Sequence, residues 1–213
     1  MTTVQDINNA LNFRYAVKTF KKGEKVEVEK LEAIIEAGRM APAAYGLQPY
    51  KLVHVADESM RENLKAAAYE QTKVTDAGDF FVMAVRTDID ENFVNEYVKN
   101  ISETRGVSEE SLKGFSDNMK GDIITRDENN KFAWAGRQAY ISLGFMLETA
   151  AILGVDMCPM EGFDAGKFDE ILNLKNENLK SVGAFAVGKR DETDIYATLK
   201  KVRISKENFI LQK

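Results

Sequence analysis

Two pairs of cations and two short loops are the parts of this sequence whose residue types and spacing suit a bound ligand. Arg14 and Lys18 stand four residues apart. On a helix that spacing shares a face, and on a strand any even spacing does, so both charges can converge on one anion in either case. Lys201 and Arg203, two apart near the other end, do the same from an extended chain. With 29 Lys and Arg residues, chance alone supplies roughly four basic-x-basic pairs, so neither pair is a site by itself. The loops are Pro42-Ala43-Ala44-Tyr45-Gly46-Leu47-Gln48-Pro49, bracketed by two of the three prolines, and Pro159-Met160-Glu161-Gly162-Phe163-Asp164. In the second, Asp164 is a fitting helix N-cap and Gly162 lets a ligand approach backbone N–H groups closely. A plain strand-to-helix turn fits the same residues.

Elements that must carry these groups can be read from periodicity. Leu31, Ile34, Ile35 and Gly38 fall on one side of a helix before the proline-bracketed loop. After it, residues 50–56 alternate as a strand, residues 58–69 read as a helix, and residues 79–86 are the nearly unbroken apolar run of a buried strand. Helices are expected over 89–104 and 109–121, then a polar, turn-rich stretch over 121–130. A long helix follows over 131–154. Its small-residue face, Ala135, Ala139, Ser142, Leu143, Met146 and Ala150, suits either a neighbouring helix of the same chain or a subunit interface. A short strand at 155–158, a helix at 165–172 and a strand at 179–188 complete the pattern. The segment 204–213 has no core-forming period, so it hangs free or crosses to a partner. Strands alternating with a majority of helices predict an α/β or α+β protein with one mixed sheet sandwiched by helices.

Composition narrows the function. The chain of 213 residues is 44% hydrophobic and 30% charged with a net charge of -5, which excludes disorder and argues against a nucleic-acid binder. A single cysteine, Cys158, forbids an intrachain disulfide, and with no signal-like N-terminus a reducing cytoplasm is expected. No run of about 18 apolar residues predicts a membrane span. One histidine, His54, in a strand pattern reads as structural, and no metal-ligand spacing occurs. Cys158 lacks a partner motif and reads as a buried thiol. No Gly-x-Gly-x-x-Gly or phosphate-loop pattern is present, against a Rossmann-type dinucleotide site.

In combination and order, Arg14-x-x-x-Lys18, Ala41-Pro42 followed by Gln48-Pro49, the segment 159–164 and Lys201-x-Arg203 resemble the bacterial nitroreductase family of FMN-dependent, oxygen-insensitive enzymes. The segment 159–164 is the most specific part, and the long helix near Trp134 fits too. The resemblance implies an α+β fold with a mixed sheet sandwiched by helices and an intertwined homodimer sharing its FMN clefts. It implies one domain over 1–213, with a helical excursion at about 89–130 and a C-terminal tail crossing to the partner subunit.

For the site, the resemblance implies that Arg14 and Arg203, helped by Lys201, clamp the FMN phosphate, Arg being the better fork for its oxygens. Tyr15 and Ala16 lie along the cofactor. Lys18 and Lys73 sit by the N1 and C2 carbonyl edge, where a cation stabilises the charge of the reduced ring. The backbone of Glu161 and Gly162, presented by Pro159 and Met160, faces N5. Pro42, Ala43, Ala44 and Gly46 supply backbone and apolar contacts, and Gln71 is the expected ribityl contact. Tyr45 and Phe115 flank the substrate cleft. Three positions depart from the family pattern: Ala16 replaces a frequent serine, Pro42-Ala43-Ala44-Tyr45-Gly46 replaces Pro-Ser-Ser-x-Asn, and Glu70-Gln71 stands where an asparagine is expected. The implied activity is ping-pong transfer of hydride from NAD(P)H through FMN to a nitroaromatic, quinone or similar small acceptor. Alternatives are a dihydropteridine, enone or flavin reductase on the same fold, or a non-catalytic FMN-binding protein.

Overall fold

A computed structural model describes residues 2–213. Thr3 opens it with a capping box: its hydroxyl accepts from the Asp6 N–H at 3.2 Å, and the Asp6 carboxylate accepts from the Thr3 N–H at 2.8 Å. That cap starts α1 (Val4–Phe13), a helix not predicted above, of which only Ala10 is buried. There follow α2 (Val28–Arg39), β1 (Tyr50–His54), α3 (Glu58–Ala67), the single turn α4 (Lys73–Asp76) and β2 (Asp79–Arg86). Next come α5 (Glu91–Arg105), α6 (Lys113–Met119), α7 (Glu128–Ile152), β3 (Asp156–Met160), α8 (Ala165–Ile171), β4 (Leu179–Gly188) and the single turn α9 (Lys206–Phe209).

The sheet order is β1-β2-β4-β3. The class is α+β, and within it every pairing of these four strands is antiparallel, where a mixed sheet was expected. Alternation of strands with helices suggests parallel neighbours, but β4 inserts between β2 and β3 and runs against both, so strands of like direction never touch. Helices cover both faces. Phe81, Met83 and Val85 of β2 pack with Phe185 and Val187 of β4 against α2, α5 and α7. The alternate residues Phe80 and Val82, with Ala184 and Ala186, pack against α3, α4 and α8. Burial on both faces is why β2 reads as a continuous apolar run.

The small-residue face of α7 is spent inside the chain. Gly38 of α2 lies so close that a Cβ there would come within 2.8 Å of Met146, and the Ser142 hydroxyl donates to the Gly38 carbonyl at 2.9 Å. The remaining face leaves Tyr140, Ile141, Phe145 and Ile152 exposed. Helix α7 also begins at Glu128 rather than 131, because Asp127 caps it by accepting from the Asn130 N–H at 2.9 Å. The stretch before it, read as turns, contains a π-helical turn, Lys120–Ile124. In β4 the pairing skips from Met83↔Gly183 to Ala84↔Ser181, leaving Val182 as a bulge. Among the described residues no helix is long and apolar enough to cross a membrane.

Candidate active site

Arg14 caps the C-terminus of α1 in an extended conformation, its N–H still bonded to the Ala10 carbonyl. From there to Lys18 the chain is neither helix nor strand, with a bend at Lys18. Val17 is fully buried, while Arg14, Tyr15, Ala16 and Lys18 line a cleft of about 710 Å³. The opposite wall is the tail: Tyr196, Lys201 and Arg203. The Lys201 ammonium donates to the carbonyls of Leu11 and Arg14, fastening tail to head. Burial lowers the pKa of Arg14, and the Arg203 charge lowers it further. Lys201 is likewise lowered by burial, then by Arg14 and Arg203. Among the described residues none of these three cations pairs with a carboxylate. Three converged, mutually repelling cations with no acid among them form a donor set suited to a phosphate-like dianion.

Lys18 and Lys73 approach each other around one thiol. Lys73, only 8% exposed, opens α4. Burial pushes the Cys158 thiol up, and the charges of Lys73 and Lys18 oppose that rise. The Lys18 ammonium also lies 5.9 Å from the centre of the Tyr196 ring. The loop carrying Lys73 is held by Arg61 of α3, 8% exposed, which donates to the carbonyls of Val74 at 2.7 Å and Ala77 at 2.5 Å. Sequence reasoning passed over Arg61; its one signal was a lone cation on the helical face it shares with Leu64.

Strand β3 extends to Met160, two residues beyond the predicted end, with Pro159 paired opposite Phe185. Proline is tolerated there because β3 is an edge strand. The exposed Glu161–Gly162 turn follows, and Asp164 caps α8 as expected, accepting from the Lys167 N–H at 3.1 Å. Two side chains clamp the turn. Gln71 donates its amide to the Gly162 carbonyl at 2.6 Å and lies 3.0 Å from the Ala68 carbonyl, so its oxygen is the atom left over. Tyr140 of α7 donates to the Glu161 carboxylate at 2.5 Å and lies 3.1 Å from the Val182 carbonyl exposed by the bulge. Gly183 leaves room for that phenol, since a Cβ there would sit 3.2 Å from its oxygen. Burial, then the hydrogen bond to Glu161, raises the Tyr140 pKa, so the hydroxyl stays protonated. Tyr140, Pro159 and Glu161 line a cleft of about 350 Å³ with Leu143, Gly144 and Leu147.

The proline-bracketed loop forms a separate group on the helical excursion. Its centre is a 3-10 turn, Ala44–Gly46, with Tyr45 at φ 60° and Gly46 at φ 80°. The Ala44 N–H donates to the Gln138 side chain at 2.9 Å, the Tyr97 hydroxyl donates to the Tyr45 carbonyl at 2.9 Å, and the Tyr45 hydroxyl donates to Asp122 at 2.9 Å. The Tyr45 ring lies 6.1 Å from Phe115. Within one chain, then, Tyr45 and Phe115 meet each other, and their contacts are to the excursion and α7, away from the head and tail. His54 stacks on Phe81 at 4.5 Å and bonds to Asp79 at 3.0 Å, in a cleft remote from the cationic one.

The chain is an α+β sandwich of helices around an antiparallel sheet, with a cationic cleft between its head and tail. The nitroreductase family model matches residues 11–189. A candidate NAD(P)H nitroreductase from Staphylococcus haemolyticus is 34% identical over 184 residues, 83% of each chain. A candidate nitroreductase structure from Bacillus subtilis superposes with a TM-score of 0.87 at 24% identity, covering 99% of this chain and all of that one. A further candidate nitroreductase structure, from Exiguobacterium sibiricum and in complex with FMN, has a TM-score of 0.79 at 15% identity, covering all of this chain and 98% of that one. The chain belongs to the nitroreductase family. Lys201 and Arg203 lie beyond the matched residues, so the case for them rests on the geometry of the cleft.

Proposed function

We propose that this chain is an FMN-dependent oxidoreductase that takes hydride from NAD(P)H and delivers it, by a ping-pong sequence through one cleft, to a nitroaromatic, quinone or similar small acceptor. The observation that carries this reading is the meeting of Arg14, Lys201 and Arg203, 187 residues apart for the first pair, with no carboxylate to neutralise them. Arg14 and Arg203 offer planar donor forks to the phosphate, and Lys201 keeps the tail against the head. When bound, FMN supplies two-electron hydride chemistry at N5, and the protein contributes binding, orientation and charge. Lys18 and Lys73 stand where negative charge on the N1 edge of a reduced ring would be stabilised. The Glu161 and Gly162 amides, on a turn held by Tyr140 and Gln71, would face N5. Tyr15, Ala16, Pro159 and Met160 flank the ring and ribityl chain.

The reading includes a homodimer. Exposed Tyr140, Ile141 and Phe145 on α7, and a tail with Val202 at 84% and Leu211 at 80% exposure, leave apolar surface suited to a second copy. In that arrangement the loop Pro42, Ala43, Ala44 and Gly46, with Tyr45 and Phe115, closes the cleft of the other subunit.

The test is the absorbance spectrum of the purified protein and anaerobic mixing with NADH or NADPH, where rapid bleaching is expected. Arg203→Ala should weaken FMN retention by about 1.5–3 kcal/mol, the worth of a charge-assisted bond. Unchanged retention would remove the cleft from the reading.

A further inference from the structure

Asp194 is a buried carboxylate, 3% exposed, that forms no ion pair among the described residues. Its Oδ2 accepts from the backbone N–H groups of Lys18 at 2.7 Å and Thr19 at 3.1 Å, and its Oδ1 accepts from the Tyr196 N–H at 3.0 Å. One side chain therefore bonds the head and the tail at once, across 176 residues of sequence for Lys18. The Tyr15 hydroxyl lies beside it without a well-formed hydrogen bond. From this tie the head runs back to Arg14, and the tail runs through a 3-10 turn, Ile195–Thr198, to Lys201 and Arg203.

Upstream of the tie, head and tail are already paired at one bridge, Phe20↔Arg190, flanked by the Lys21 N–H bonded to the Lys189 carbonyl and the Asp191 N–H bonded to the Thr19 carbonyl. Asp194 extends that pairing in the direction of the cationic cleft. There the three cations repel one another, so the segments bearing them need an attachment that does not consume their charge. A carboxylate accepting only backbone N–H groups meets that need, because a carboxylate paired with Arg14 or Arg203 would compete with a bound anion.

We infer that Asp194 is the positioning residue of the phosphate site: by holding Lys18, Thr19 and Tyr196 together it sets the spacing of Arg14 and Arg203 across the cleft. This rests on the FMN reading above. Asn at this position has nearly the same shape but turns one acceptor into an NH2 group, which must face backbone N–H donors and leave one of them unsatisfied. The loss should then fall mainly on recognition of the phosphate, which needs Arg14 and Arg203 at a set spacing, and less on the ring, which Lys18 alone of the tied residues would face.

The experiment compares two ligands. Apoprotein is titrated with FMN and with riboflavin, following quenching of flavin fluorescence, for the parent chain and Asp194→Asn. The parent should prefer FMN. The variant should lose about tenfold or more of that preference, with a much smaller fall in its riboflavin affinity and a cooperative thermal transition retained. If the Asn variant lacks such a transition, Asp194→Glu carries the test: it keeps the acceptors on an arm one methylene longer and should lower the preference in the same direction. A folded variant whose preference equals that of the parent overturns the inference, as does an equal loss for both ligands, which would make Asp194 a general stabiliser. A parent chain that binds neither flavin, or binds both alike, overturns the FMN phosphate reading itself.

Discussion

Gly46 shows how much of this site depends on single atoms. At φ 80° it occupies the left-handed region, and a Cβ there would stand 2.0 Å from the Tyr97 hydroxyl, which bonds the Tyr45 carbonyl one residue earlier. The alanine variant meets both penalties, backbone strain and a clash, so Gly46→Ala should destabilise by about 1–3 kcal/mol. Urea unfolding of the two proteins measures it, and an unchanged midpoint would show that the loop relaxes at no cost. Tyr45 already holds φ 60° against the preference of a bulky residue. Hydrogen bonds at its carbonyl and hydroxyl hold it there, so the turn is preset before any ligand arrives.

At the level of elements, the site is made of ends: the C-terminus of α1, the first residue of α4, the last of β3 and the tail after β4. Ends need fastening, and buried polar side chains do it. Arg61 of α3 satisfies the carbonyls of Val74 and Ala77 just past Lys73. Arg61→Met keeps the bulk but strands those acceptors, and should cost about 2 kcal/mol or more, measured by thermal or urea unfolding, with weaker FMN retention alongside. Asp194 fastens the head to the tail. Burial alone would raise its carboxyl pKa, but the N–H groups of Lys18, Thr19 and Tyr196 outweigh that and hold it below the ordinary value. Its neighbours are Tyr15, Arg190 and Cys158 besides Lys18. A folded pKa below the unfolded one means the carboxylate stabilises the joint fully above about pH 4 and loses that contribution as pH falls through the folded value. Amide hydrogen exchange at Lys18 and Thr19 should therefore stay slow to about pH 4 and speed up below it, relative to core amides. A joint that opens on raising the pH instead would contradict the assignment.

Across the whole molecule, the proposed dimer rests on the exposed apolar residues of α7 and of the tail. Phe145→Asp places a charge in the middle of the exposed α7 stripe and should shift light-scattering mass from two chains toward one, with loss of flavin from the monomer. A parent chain that sediments as a monomer would remove the shared cleft. How much of this was legible beforehand varies by element. Strands β2 and β4 lie where their residues predict, because burial on both faces leaves a continuous apolar record that no partner needs to complete. Helix α1 carries Val4, Ile7 and Leu11 at helical spacing, but all three are exposed within the chain, so nothing in the core completes its pattern. Arg14, Lys18, Lys201 and Arg203 could be singled out by type and spacing. Arg61, Tyr140 and Asp194 could not, since each is defined by a partner 13 to 176 residues away.

Residue order alone determined most of the run of helices and strands, a class of α/β or α+β, the cap at Asp164 and the kinds of side chain able to hold an anion, because these follow from local periodicity and local hydrogen bonding. Only the tertiary structure decided that the sheet is antiparallel throughout its four strands, that the small-residue face of α7 is used up against α2, and that one buried carboxylate joins head to tail. Those outcomes depend on which distant segments pair, and that choice is made by shape and burial of the assembled core, to which no short stretch of sequence has access.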